Sequence, residues 1–216
     1  MKISKAKKLT TTAMLCALAY VAAAIARFPV VLFLRYDPKD VIIVIGGLIF
    51  GPLTSLSITL VVSVVQMFTV SGTGALGCLM NVISSCSFAC TAAFIYKKKH
   101  NLSGAVLGLL SGCGLMLIVM LLWNYLITPI YMGYPREAVA ELLLPAFLPF
   151  NLIKGGLNAA FTMLLYKPIV TALRRSHLVE GETGSGKAKM NIGIILVSLL
   201  VIATCVLFVL SLKEII

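Results

Sequence analysis

The 216-residue chain is 60% hydrophobic and only 12% charged, with a mean hydropathy of +1.07, which excludes an ordinary soluble domain and points to an integral membrane protein. Its net charge of +11 does not signal nucleic acid, because Lys and Arg are gathered in short clusters between apolar runs instead of covering one face with aromatics among them. Six cysteines lie in or beside those runs and imply no disulfide framework; Cys86 and Cys90, four apart, have no His or further Cys spaced to complete a metal site.

The first apolar run, Leu9 to Ala26, follows the basic stretch "KISKAKK". It reads as an uncleaved first membrane helix, although "AIA" at Ala24 to Ala26 also has the form of a signal-peptidase site. Ala13 and Ala17, continued by Ala22, Ala23, Ala24 and Ala26, make a small-xxx-small surface on which another helix can pack closely. Plain Ala-rich helix composition is the alternative. Asp37 and Asp40, in "LRYDPKDV", border the outer face together with Glu137 and Glu141, where they hold a loop, bind solute or stay wet.

The next run, Val41 to Val70, is thirty residues long, about 45 Å of helix against a hydrocarbon core of about 30 Å. "FGPL" at Phe50 to Leu53 breaks it, so the expectation is a short helix followed by a full one. Further runs cover Ala75 to Tyr96, Leu102 to Thr128, Leu142 to Tyr166 and Met190 to Leu212, and no charged residue or His occurs from Val41 to Tyr96 or from Asn101 to Pro135. The split puts twelve of the 18 basic residues on one side, among them Lys2, Lys97, Lys98, Lys99, Arg174 and Arg175. The positive-inside rule makes that side, with the N-terminus, the cytoplasmic face of the cell membrane.

The expected fold is therefore all-α: a six-helix transmembrane bundle over residues 1–175, a flexible cytoplasmic linker over 176–189, and an additional transmembrane helix with a short tail over 190–216. Within the linker, "GETGSGKA" at Gly181 to Ala188 approaches the phosphate-binding loop G-x-x-x-x-G-K-[ST], but Ala188 stands where the magnesium-binding hydroxyl belongs and no strand precedes it. Its Gly/Ser/charged composition suits a linker, so an energy source is expected elsewhere.

Lys154 is the most informative residue. It stands twelve positions from each end of its apolar run, about 18 Å of helix either way, too deep to snorkel to water. A lipid-facing charge there costs on the order of 3 kcal/mol, so it is expected to face the bundle interior and meet a partner. Asn151 and Asn158 share its face, which makes "FNLIKGGLN" a polar stripe with Gly155 and Gly156 allowing close helix contact. Gln66, Asn81 and Asn124, the last between Trp123 and Tyr125, are the other strong hydrogen-bonding side chains of the runs. Amides from several helices, one ammonium and aromatics suit a neutral, flat heteroaromatic ligand; the alternative is amides that only hold helices together. His100 and His177 sit in basic loops and no carboxylate lies within a run, so no acid–base pair is visible and catalysis is not expected.

The opening Ala13-Met-Leu-Cys-Ala17-Leu-Ala19, "LRYDPKDV", "GGLIFGPL", "SGTGALG" and "FNLIKGGLN" resemble the substrate-binding S components of energy-coupling factor (ECF) vitamin transporters, most of all the riboflavin-specific type, over about Leu9 to Arg175. The resemblance implies a six-helix bundle that binds a vitamin in an outward-facing cavity capped by the loop after the first helix. It implies docking through Ala13 and Ala17 onto a membrane coupling subunit with two ATP-binding-cassette ATPases, which supply the energy. Asn124, Asn151 and Lys154 would contact the flavin, with Asn81 and the Asp37 to Asp40 loop nearby, and no cofactor is implied beyond riboflavin as the carried ligand. The chain departs from the pattern at "LVVSVVQM" and "GTGA", and its last helix lies outside the usual six. An S component for another vitamin, a structural membrane protein and an ion-coupled carrier stand as alternatives, the last without a second intramembrane charge to relay protons.

Overall fold

The computed structural model describes residues 5–31, 34–70, 74–133, 135–176, 178 and 192–212. Helix α1 (Lys5–Ile25) leads into a two-stranded antiparallel hairpin, β1 (Phe28–Val31) and β2 (Leu34–Tyr36), and then come α2 (Lys39–Phe50), α3 (Pro52–Thr69), α4 (Gly74–Lys98) and α5 (Leu102–Leu126). Two short helices, α6 (Thr128–Met132) and α7 (Arg136–Leu142), and a π-helical turn (Leu143–Phe147) precede α8 (Leu148–Arg175), and α9 is Ile192–Leu212. Among the described residues, six segments are long and apolar enough to cross a membrane, ending with Arg136–Arg175 and Ile192–Ser211.

The expected all-α membrane bundle is observed, with the hairpin as an addition that helical periodicity did not announce. Its register pairs Phe28 with Tyr36, Pro29 with Arg35 and Val31 with Leu34. A short aromatic and β-branched run bounded by Arg27 and Asp37 is the composition of a strand, and the loop is thereby stiffened into a flap over one end of the bundle.

The Gly-Pro break falls where expected. Gly51 takes φ +96, a conformation costly for any residue with a Cβ, and Pro52 begins α3 at the position where a missing N–H costs nothing. With 12 residues, α2 is about 18 Å long and cannot cross a bilayer alone. It starts already inside the bundle: Lys39 and Asp40, in its first turn, are both 0% exposed.

Helix α1 buries Thr11, Leu15, Ala19 and Ala23, one per turn, and leaves Ala13 and Ala17 exposed. Helices α4 and α5 meet most intimately, since a Cβ at Gly112 would stand 2.5 Å from the Phe88 carbonyl oxygen. One apolar core joins Leu15, Ile43, Ile58, Phe88 and Met116; a second, under the hairpin, joins Val30, Tyr36, Phe147, Phe150 and Leu157, with Ile202, Cys205 and Val209 of α9 against it. The π turn contains Pro145, and the widened turn accommodates a ring that lacks the helical donor. Helix α9 packs chiefly on α8, while Leu196, Val197, Leu199 and Leu200 face outward.

Candidate functional site

A cavity of about 110 Å³ lies beneath the hairpin, between α4, α5 and α8. Its polar lining comes from Arg27, Arg35, Asp37, Asn81, Ser84, Asn124, Thr128, Asn151 and Lys154, and its apolar lining includes Leu34, Met80, Met120, Trp123 and Phe150. Of the residues singled out from the sequence, Asn81, Asn124, Asn151, Lys154 and Asp37 line this space; Asp40, Gln66 and Asn158 do not and stand behind its wall.

Lys154 is 6% exposed. Its Nζ donates to Ser84 Oγ at 2.9 Å and lies 3.3 Å from Asp40 Oδ2. Asp40 also accepts from Ser85 Oγ and from Asn158 Nδ2 at 3.3 Å, and its place in the first turn of α2 sets the carboxylate at the positive end of that helix. Asn158 Oδ1 in turn accepts from the Tyr36 hydroxyl at 2.8 Å. A continuous chain of polar contacts thus runs from the hairpin strand β2 through α8 and α2 to the ammonium in the cavity wall.

A second pair lies beside the first. Lys39 Nζ is 3.3 Å from Asp37 Oδ2 and donates to Gln66 Oε1, and Gln66 Nε2 donates to Asp37 Oδ2 at 3.0 Å. Burial pushes the Asp37 carboxyl up, but the Lys39 ammonium and the hydrogen bonds from Gln66 and the Lys39 backbone N–H outweigh it and hold the group below its usual range. Four buried charges therefore cancel as two pairs, with their remaining lone pairs and protons largely satisfied, the condition under which buried ions are tolerated.

This narrows one reading and corrects another. Of the alternatives open for Asp37 and Asp40, staying wet is excluded by their burial, and Lys154 is not the sole intramembrane charge: the segment after the hairpin dips into the bundle and carries Asp40 to it. Lys39, between Asp37 and Asp40 in the same segment, is fully buried. Tyr36, Ser84, Thr128, Arg27 and Arg35 were not singled out as site residues. The available signal was "DPKD", three charges of both signs in four residues directly before a charge-free run of more than fifty.

Two amides are set by their own helices. Asn124 Nδ2 donates to the Met120 carbonyl at 2.8 Å, with its Oδ1 accepting from the Thr128 hydroxyl at 3.0 Å, and Asn151 Nδ2 donates to the Phe147 carbonyl at 2.8 Å. Such bonds fix an amide's orientation before any ligand arrives, which lowers the ordering cost of binding. The stretch Gly181 to Ala188, and with it most of the expected linker, lies outside the described residues.

A family model for "ECF transporter, substrate-specific component" matches residues 7–166. The chain is 30% identical over 190 residues to riboflavin transporter FmnP of Bacillus subtilis (strain 168), an alignment covering 81% of this chain and 99% of that protein. It is 29% identical over 178 residues to riboflavin transporter RibU of Staphylococcus aureus (strain TCH60), covering 78% and 93%. A solved structure, "Structure and mechanism of the S component of a bacterial ECF transporter", superposes with a TM-score of 0.67 at 29% identity over 80% of this chain and 100% of that one.

Proposed function

We propose that this chain, which belongs to the substrate-specific components of ECF transporters, binds riboflavin as the vitamin-capturing membrane subunit of an uptake system powered by ATPases on partner subunits. One observation carries the choice of ligand beyond family membership: a single cavity gathers an ammonium, three amides and the indole of Trp123, in a chain similar to two riboflavin transporters. A flavin presents carbonyl oxygens and ring nitrogens along one edge, an apolar dimethylbenzene at the other, and a polyhydroxy ribityl chain. Lys154 and the Asn81, Asn124 and Asn151 amides match the first and last, and Met80, Trp123 and Phe150 the second.

Pockets that enclose ligands of this size run to about 300–1,000 Å³, well above the 110 Å³ present under the hairpin. The proposal therefore includes an outward swing of β1 and β2 to admit the vitamin. Tyr36, bonded to Asn158, is the latch on that motion, so closure and the Lys154–Asp40 pair are coupled through shared partners. The exposed Ala13 and Ala17 are assigned to docking on the coupling subunit, where small side chains permit close helix approach. The basic end of the bundle, with the N-terminus, is assigned to the cytoplasm, which turns the hairpin and its cavity outward.

Titration of flavin fluorescence with detergent-purified protein tests the ligand directly. Stoichiometric quenching at submicromolar concentration, undiminished by excess thiamine, is expected. Absence of quenching together with saturable binding of thiamine would reassign the vitamin.

A further inference from the structure

A second cavity, of about 230 Å³, sits at the opposite, basic end of the bundle. Leu48 of α2, Tyr96 of α4, Met163 of α8 and Ile194 of α9 form walls, and His100 and Lys167 are at its polar margin. The three lysines Lys97 to Lys99 directly precede His100, so the surrounding field is positive.

Thr162 gives this space its specific character. Several helical threonines use their hydroxyls on the carbonyl four residues back, as Thr11, Thr69 and Thr204 do, the usual resort of a helical hydroxyl in an apolar setting; Thr59 of α3 and Thr162 do not. Thr162 is among the residues that line the second cavity, is 0% exposed, and its Oγ1 has no hydrogen-bond partner among the described residues. A buried hydroxyl left unpaired is costly. Thr162 lies five residues before Lys167 on the same helix, about 7.5 Å of rise, so a ligand reaching both must carry an anionic group at the membrane surface and an acceptor deeper in, between apolar walls. A glycerophospholipid has this layout: phosphate above, ester carbonyls below, acyl chains beneath.

Helix α9 lies beyond the residues matched by the family model, yet it supplies Ile194 and Ile195 to the wall. It seats on α8 where Gly156 faces Cys205 and Val201. The cavity is thus closed on one side by an element added to the six-helix bundle.

We propose that the second cavity binds one anionic glycerophospholipid from the leaflet at the basic end, its phosphate held by Lys167 and His100, an ester oxygen accepting from Thr162, and an acyl chain running between α8 and α9. The site is independent of the vitamin cavity. Native mass spectrometry of the full-length protein, released from nanodiscs of equal phosphatidylglycerol and phosphatidylcholine, reads the retained lipid. One phosphatidylglycerol per chain is expected, favoured over phosphatidylcholine by about fivefold or more. Lys167→Gln should bring the two lipids toward parity, and Ile194→Trp, which fills the space from α9 without altering charge, should remove the retained lipid. Cooperative thermal unfolding of both variants serves as the folding control. Equal retention of the two lipids by the unaltered protein, or undiminished retention by Ile194→Trp, overturns the proposal. So does thermal stabilisation by inorganic phosphate equal to that given by phosphatidylglycerol, which would assign the basic margin to a free anion.

Discussion

The two ends of the bundle solve the burial of polar groups in opposite ways. Under the hairpin, Asp37, Lys39, Asp40 and Lys154 are sequestered from lipid and each has an oppositely charged partner. At the basic end the cavity walls are mostly apolar, and among the described residues the buried Thr162 hydroxyl has no hydrogen-bond partner. The paired charges satisfy one another internally, and two of them, Asp37 and Lys154, stand in the cavity wall. The other cavity has apolar walls with His100 and Lys167 at its polar margin. The difference teaches that burial alone does not tell the two cavities apart; the charge network that reaches the hairpin does, and the proposed vitamin site rests on it.

That contrast can be broken most severely at Lys154. Replacing it with Met leaves Asp40 as an uncompensated buried carboxylate, a loss on the order of 3–5 kcal/mol in folding stability. Riboflavin affinity should also fall by about a hundredfold or more, because the same ammonium lines the proposed vitamin cavity. Fluorescence titration and thermal unfolding measure the two effects separately. Lys167→Gln, the matching change at the basic end, should leave riboflavin affinity within about twofold, the range expected of a distant and independent site. Loss of vitamin binding there would erase the distinction between the ends.

Smaller changes sharpen it. Asn124→Leu and Asn151→Leu should each weaken riboflavin about tenfold, the loss of one buried hydrogen bond of about 1.5 kcal/mol, read by calorimetry. Tyr36→Phe removes only the latch to Asn158 and should speed vitamin release about fivefold, an effect of about 1 kcal/mol on the closed hairpin, with stopped-flow fluorescence as the measurement. The mildest test is pH. Asp37 is held below its ordinary value of 3.8 in the folded protein, so its contribution is complete above that value and is lost only as the pH falls through the lower folded one. Hairpin closure, followed by a fluorophore on the loop, should therefore not vary in neutral or mildly acidic solution, and opening should begin only in strong acid.

Much of the architecture could be read from the residues. Apolar run lengths gave the spanning segments, the Gly51-Pro52 pair gave the break between α2 and α3, and the depth of Lys154 in its run gave a charge that faces inward. What periodicity and run length do not carry is how far a loop descends into a bundle. Asp40 and Lys154 are 114 positions apart, and their pairing depends on α2 beginning below the outer edge, a depth decided by the hairpin that precedes it. The same limit explains why Gln66 and Asn158, grouped with the ligand-facing amides by the sequence pattern, instead support Asp37 and Asp40 from behind. Thr162 carried no signal at all, since one Thr in an apolar helix ordinarily bonds its own backbone.

The most direct test of the vitamin cavity is mass spectrometry of the small molecules released on denaturing the purified protein, done in parallel on the unaltered chain and on Lys154→Met. The account predicts one riboflavin per unaltered chain and none retained by the variant. Riboflavin bound equally by both, or a different molecule released from the unaltered chain, would contradict it.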